Sequence, residues 1–162
     1  MNEPLQTTLI HIAKCFNDKK ITWGLGGSAL LDLLGLNVMV NDLDIMIEAS
    51  DFDLATEILN QVGEEKYKTF NPKFRTARFK TFQVDECDVD VMSGISVFNA
   101  SKWFDYDFSI MKIASKIKMD MIEIPLMSLE DWLQIYQALQ RNEKVDLIER
   151  YMNERARFTT VP

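Results

Sequence analysis

One histidine, His11, and two cysteines, Cys15 and Cys87, are the only nitrogen and sulfur ligands in 162 residues, too few for a four-ligand zinc site. A metal here would have to be held by oxygen. Basic residues are also short: 18 Lys+Arg against 25 Asp+Glu give a net charge of −7. That balance argues against a protein that neutralises many phosphates of a polynucleotide, although it leaves room for one nucleotide in a local site. No apolar run reaches the roughly 18–20 residues of a membrane span. The first twenty residues carry Glu3, Lys14, Asp18, Lys19 and Lys20, so no signal peptide is read there and the expected compartment is the cytoplasm. No linker or internal repeat divides the chain. With 47% hydrophobic and 27% charged side chains, residues 1–162 read as one ordinary domain.

Leu5, Leu9, Ile12, Ala13 and Phe16 recur at helical spacing and predict a helix over about 4–18. Ile21 to Leu25 reads as a short strand entering the turn Gly26-Gly27-Ser28, with Ser28 as cap of a helix over Ala29–Leu34 that stops at Gly35. In the next strand Leu43, Ile45 and Ile47 face one side, and Asp42, Asp44, Met46 and Glu48 the other. Phe52 to Val62 forms an amphipathic helix with Ser50 or Asp51 at its cap and Gly63 as its stop. Two β segments near 77–84 and 86–92 make a hairpin, the second with Glu86, Asp88, Asp90 and Met92 on one face. Residues 93–109 read as an irregular aromatic loop. Ile110–Ile117 and Met121–Leu126 form a further strand pair broken by Lys118-Met119-Asp120. Ser128 with Asp131 opens a helix to about Arg141, and a last helix runs over about Glu143–Arg155 before a frayed tail.

Acid-x-acid pairs occur five times, against about four expected from composition, so such a pair is uninformative by itself. Context singles out two strands. Asp42 and Asp44 stand roughly 7 Å apart on one strand face, and Glu86, Asp88 and Asp90 repeat the arrangement on another. Such acids can simply solvate an exposed face or guard a sheet edge. If the strands are neighbours, however, their carboxylates repel unless a cation lies between them. Mg²⁺ suits an all-oxygen site and keeps coordination places for water and phosphates. The Gly26-Gly27-Ser28 turn, after a strand and before a helix, is where backbone amides can take up phosphate.

Strand, Gly26-Gly27-Ser28, a short leucine-rich helix, then Asn41-Asp42-Leu43-Asp44-Ile45 resembles the signature of the DNA polymerase β-like nucleotidyltransferase superfamily. The likeness is to its small bacterial forms, the minimal nucleotidyltransferases and antibiotic adenylyltransferases. Ile124 to Asp131 resembles the segment leading into that family's C-terminal helices, so the resemblance spans about residues 20–150. It implies an α+β nucleotidyltransferase fold, with a mixed sheet flanked by helices and a C-terminal helical pair. It also implies a third carboxylate, which maps onto Asp90 with Asp88 as the alternative.

The activity implied is Mg²⁺-dependent transfer of a nucleoside monophosphate, AMP from ATP, to a hydroxyl of a small molecule or protein, with release of pyrophosphate. Asp42, Asp44 and Asp90 would hold two Mg²⁺ ions, Asp90 would assist deprotonation of the acceptor, and Gly26, Gly27 and Ser28 would hold the nucleoside triphosphate. Tyr136 stands where relatives carry a lysine, with a later basic pair at Arg141 and Lys144. That departure motivates a second reading: a non-catalytic protein of this fold acting as a binding partner, antitoxin-like. A partner protein or a homodimer is compatible with either. His11, Cys15 and Cys87 read as packing or surface residues, and Ser93 lacks a histidine partner for a hydrolase triad. Lys73, Arg75, Arg78 and Lys80 read as a solvated basic stretch, and Trp103, Phe104, Tyr106 and Phe108 as satellite packing.

Overall fold

A computed structural model of the chain describes residues 1–68, 74–76 and 78–159. Lys73, and the end of the tail at 160–162, lie outside the described residues. The first helix, α1 (Glu3–Asp18), starts where the Asn2 side chain accepts from the Leu5 amide at 3.0 Å and Pro4 occupies the first turn. Its buried stripe is the expected one: Leu5, Leu9, Ile12, Ala13 and Phe16. β1 (Trp23–Leu25), α2 (Gly27–Leu33), β2 (Asp42–Ile47) and α3 (Phe52–Val62) follow, with a 3-10 turn over Ala49–Asp51 before α3. Then come β3 (Glu64–Lys66), β4 (Phe74–Arg75), β5 (Arg78–Val84), β6 (Cys87–Ser93), β7 (Ile95–Asn99), β8 (Lys102–Tyr106), β9 (Ile113–Met119) and β10 (Ile122–Met127), closed by α4 (Leu129–Ala138) and α5 (Asn142–Thr159).

Seven strands make one mixed sheet in the order β3-β5-β6-β2-β1-β10-β9. β2 runs parallel to β6, and β1 parallel to β10; the other neighbours are antiparallel. α1 and α3 touch each other and cover one face, on which Leu43, Ile45, Val89 and Val91 are fully buried. α2 lies against β2 and α4, and α4 against α5, on the face that carries the acids. Phe16 and Trp23 meet edge to face at 5.7 Å within the core, and Phe82, Leu9 and Ile12 are fully buried in it. No helix among the described residues is long and apolar enough to cross a membrane.

Several expectations need correction. Residues 93–109 are no irregular loop: β7 and β8 form a hairpin that joins β4 in a separate three-stranded sheet. The hairpin turns at Ala100-Ser101 with φ of 47° and 65°, a primed turn without the glycine or asparagine that normally announces one. Asp85-Glu86 and Asp120-Met121 turn the same way, so Glu86 sits in a turn and not on the acidic strand face, and β9 continues through Met119. The cap of α2 is Gly26, not Ser28, because the helix begins one residue before the serine. Asp51 stands at the N-cap of α3 without a capping bond and accepts instead from the Thr22 amide at 2.7 Å. α4 stops at Ala138 rather than about Arg141, and α5 extends past Arg155 to Thr159.

Candidate active site

A cavity of about 720 Å³ opens on the acidic face, lined by Asp42, Asp44 and Asp90 from the sheet, Ser28 from α2, and Trp132, Tyr136 and Lys144 from the two C-terminal helices. The parallel register pairs Asp42 with Asp88 and Asp44 with Asp90 across adjacent strands. Asp90 is buried and turned into the cavity, whereas Asp88 is exposed and outside its lining. The geometry therefore brings together Asp42, Asp44 and Asp90 and leaves Asp88 at the rim.

The electrostatics follow from this crowding. Burial, then the charges of Asp42 and Asp90, push the Asp44 carboxyl up to about 7, while Lys68 and Lys144 pull it down. Asp42 is raised too, by burial first and by Asp90 next. One oxygen of Asp90 accepts from the Thr81 hydroxyl at 2.7 Å, and the other pairs with the Lys68 ammonium at 2.6 Å. Burial opposes the charge on Lys68, but its hydrogen bond to Asp90 and the charges of Asp90, Asp42 and Asp44 outweigh that and raise its pKa.

The glycines are fixed by close packing. Gly26 donates its amide to the Asp44 carbonyl at 2.8 Å, and a Cβ at Gly26 would lie 2.0 Å from the Trp132 ring. Gly27 has φ +60°, and a Cβ there would lie 1.9 Å from an Asp44 carboxylate oxygen. The turn is thus clasped between an indole above and a carboxylate below. The Trp132 indole N–H is buried with no hydrogen-bond partner among the described residues.

Ser28, freed from capping, accepts from the Lys144 ammonium at 2.5 Å. That ammonium stands 5.6 Å from the centre of the Tyr136 ring, and burial lowers its pKa. Burial first and Asp44 next hold the Tyr136 phenol above its ordinary value, against a hydrogen bond from Ser28 that lowers it. Lys144, one helix later, thus brings a cation to the Tyr136 ring. Neither Lys68 nor Trp132 stood out in the sequence, since nothing local marks a lysine after an edge strand.

The other candidates fall outside the cavity. Arg75 stacks over Trp103 at 4.4 Å, Arg78 pairs with Asp53, and Lys80 pairs with Glu65. Phe98 and Trp103 pack at 5.3 Å in the small sheet. His11 is exposed beside Asp85, Cys87 is buried and Cys15 half-buried.

Among the described residues no three acidic, histidine or cysteine side chains stand closed as a metal-ligand cluster. Both Asp90 oxygens have protein partners, Lys68 on one and Thr81 on the other. The donor set nevertheless fits Mg²⁺: three carboxylates on one face of adjacent strands, with a protein cation now among them.

No family model matches the chain, and no curated protein matches it in sequence. Solved structures do. A "putative nucleotidyltransferase" from Thermotoga maritima aligns with a TM-score of 0.71 at 25% identity, covering 95% of this chain and 96% of that one. The chain has the nucleotidyltransferase fold. The lincosamide antibiotic adenylyltransferase LnuA, lincomycin-bound, aligns with a TM-score of 0.58 at 16% identity over 88% of this chain and 95% of that one. The antibiotic-resistance factor ANT(2'')-Ia aligns at 0.60 and 12% identity over 95% and 93%. These neighbours of the nucleotidyltransferase fold bear out the resemblance read from the glycine turn and the acidic strand, and they support an enzyme of nucleotide transfer.

Proposed function

We propose that the protein transfers a nucleoside monophosphate, AMP from ATP, to a hydroxyl of a small-molecule or protein acceptor and releases pyrophosphate. The observation that carries this reading is the parallel pairing of Asp44 with Asp90 beside the clasped Gly26-Gly27-Ser28 turn. Asp42, Asp44 and Asp90 would hold two Mg²⁺ ions, and Gly27 and Ser28, with Lys144, the triphosphate, while Gly26, its amide bound to the Asp44 carbonyl, would shape the turn. Bound Mg²⁺ supplies charge neutralisation at the transferring phosphorus and Lewis-acid activation of the attacking hydroxyl. The chain itself contributes position and charge. Lys144 reaches the turn from α5 and offsets phosphate charge there. Asp90, which accepts from the buried Thr81 hydroxyl, would take the acceptor's proton as the new oxygen–phosphorus bond forms and the bond to pyrophosphate breaks.

The antitoxin-like reading rested on Tyr136 replacing a lysine. Lys144 over the Tyr136 ring answers that observation, so transfer is the better supported of the two. Labelled nucleoside triphosphates, offered with Mg²⁺ and a panel of hydroxyl acceptors, are expected to label an acceptor and release pyrophosphate in wild type and not in Asp44→Asn. Turnover by the variant refutes the site. Failure of wild type to bind any nucleotide with Mg²⁺ refutes the function.

A further inference from the structure

Lys68 reaches the acids from a separate part of the chain, two residues beyond the edge strand β3. Its ammonium lies 2.6 Å from Asp90 Oδ2, with Lys68 about half exposed (48%) and Asp90 almost closed off (8%). Its charge also acts on Asp42 and Asp44. Thr81 cannot release the other Asp90 oxygen easily, because it is buried in β5 directly across the ladder from Asp90. Lys68 can leave, since it sits in neither helix nor strand. A divalent cation that needs Asp90 must therefore take the oxygen held by Lys68. At a metal–oxygen distance of about 2.1 Å, an ammonium kept on the same oxygen would stand within about 5 Å of the ion and repel it. Lys68 itself lines the cavity that would receive the phosphates.

We infer that Lys68 is a triphosphate-binding residue held on Asp90 in the free protein, which exchanges carboxylate for phosphate when nucleotide and metal enter together. The inference rests on the proposed nucleotidyl transfer and adds to it a coupling. The free protein binds a divalent ion weakly because Lys68 already neutralises the acids. Nucleotide draws Lys68 away and strengthens metal binding, and by linkage metal strengthens nucleotide binding equally.

The test is a titration of Mn²⁺, followed by electron paramagnetic resonance, with and without a non-hydrolysable ATP analogue, in wild type, Lys68→Met, Lys68→Arg and Asp44→Asn. Without nucleotide, Lys68→Met is expected to bind Mn²⁺ about tenfold more tightly than wild type, the worth of one charge-assisted contact. The gain that nucleotide confers should shrink by about the same factor, and Lys68→Arg should keep the wild-type coupling. Equal Mn²⁺ affinity in Lys68→Met and wild type, with Asp44→Asn weaker than both, overturns the role of Lys68 and leaves the metal site standing. No Mn²⁺ binding by wild type or Lys68→Met, even with nucleotide, overturns the metal site and this inference with it.

Discussion

Asp44 should make the metal-free protein lose stability as pH rises through neutrality. Its carboxyl is lifted from 3.8 to about 7 by burial and by the charges of Asp42 and Asp90. The folded state thus keeps a proton that the unfolded chain has already lost between those values. The sign follows: this contribution is complete below pH 3.8, declines as pH rises, and is gone above about 7. Between pH 5 and 7 the full linkage is about 3 kcal/mol, at 1.36 kcal/mol per unit. The carboxylate borders an open cavity whose water screens it, which brings the figure to roughly 2 kcal/mol. For a chain of this length that moves the melting midpoint by roughly 4–8 °C. Asp44→Asn has no proton to lose, so its midpoint minus that of wild type should grow by this amount from pH 5 to 8 in chelator. Differential scanning calorimetry reads the gap directly. Saturating Mg²⁺ at pH 8 should close most of it by stabilising wild type alone. A gap that stays constant from pH 5 to 8 refutes the assignment of Asp44 as a carboxyl raised by its neighbours.

Gly27→Ala puts a methyl 1.9 Å from the Asp44 carboxylate at a φ of +60°, and urea denaturation should register a loss of about 2–3 kcal/mol. A loss under about 1 kcal/mol would mean that the clasp gives way freely. Lys144→Met removes the ammonium on Ser28, and calorimetric nucleotide affinity should fall about tenfold. Its melting midpoint should hold, because the ammonium already carries a burial penalty. Unchanged affinity would take Lys144 out of the phosphate site.

The two acidic strands were legible because period-2 alternation exposes a strand's faces without reference to any partner. Leu43, Ile45 and Ile47 declared one face of β2, and the acids had only the other. That β2 and β6 are neighbours, and that Asp44 meets Asp90, depends on pairing between distant segments, and the family resemblance supplied the expectation. The β7–β8 hairpin went unread because Ala100-Ser101 carries no turn chemistry, although its backbone is left-handed at both residues. Serine favours the cap position, which points to Ser28, whereas the helix starts two residues earlier, at Gly27 with Gly26 as its cap under the Trp132 ring. Lys68 carries no local mark for a physical reason, and Lys144 is marked only through the family resemblance. A long flexible side chain acts where its tip lands, and the tip is placed by tertiary structure.

The parallel register of β2 and β6 also limits how such a chain can diverge. Insertion of one residue within 42–47 or 87–93 would rotate every later side chain to the opposite face and exchange a carboxylate for a leucine or valine in the cavity wall. Two inserted residues would restore the face but slide one acid past its partner. Length changes should therefore accumulate in the connections, between α2 and β2 or around the hairpin turns, while these two short stretches keep an unbroken reading frame among descendants that otherwise share little sequence.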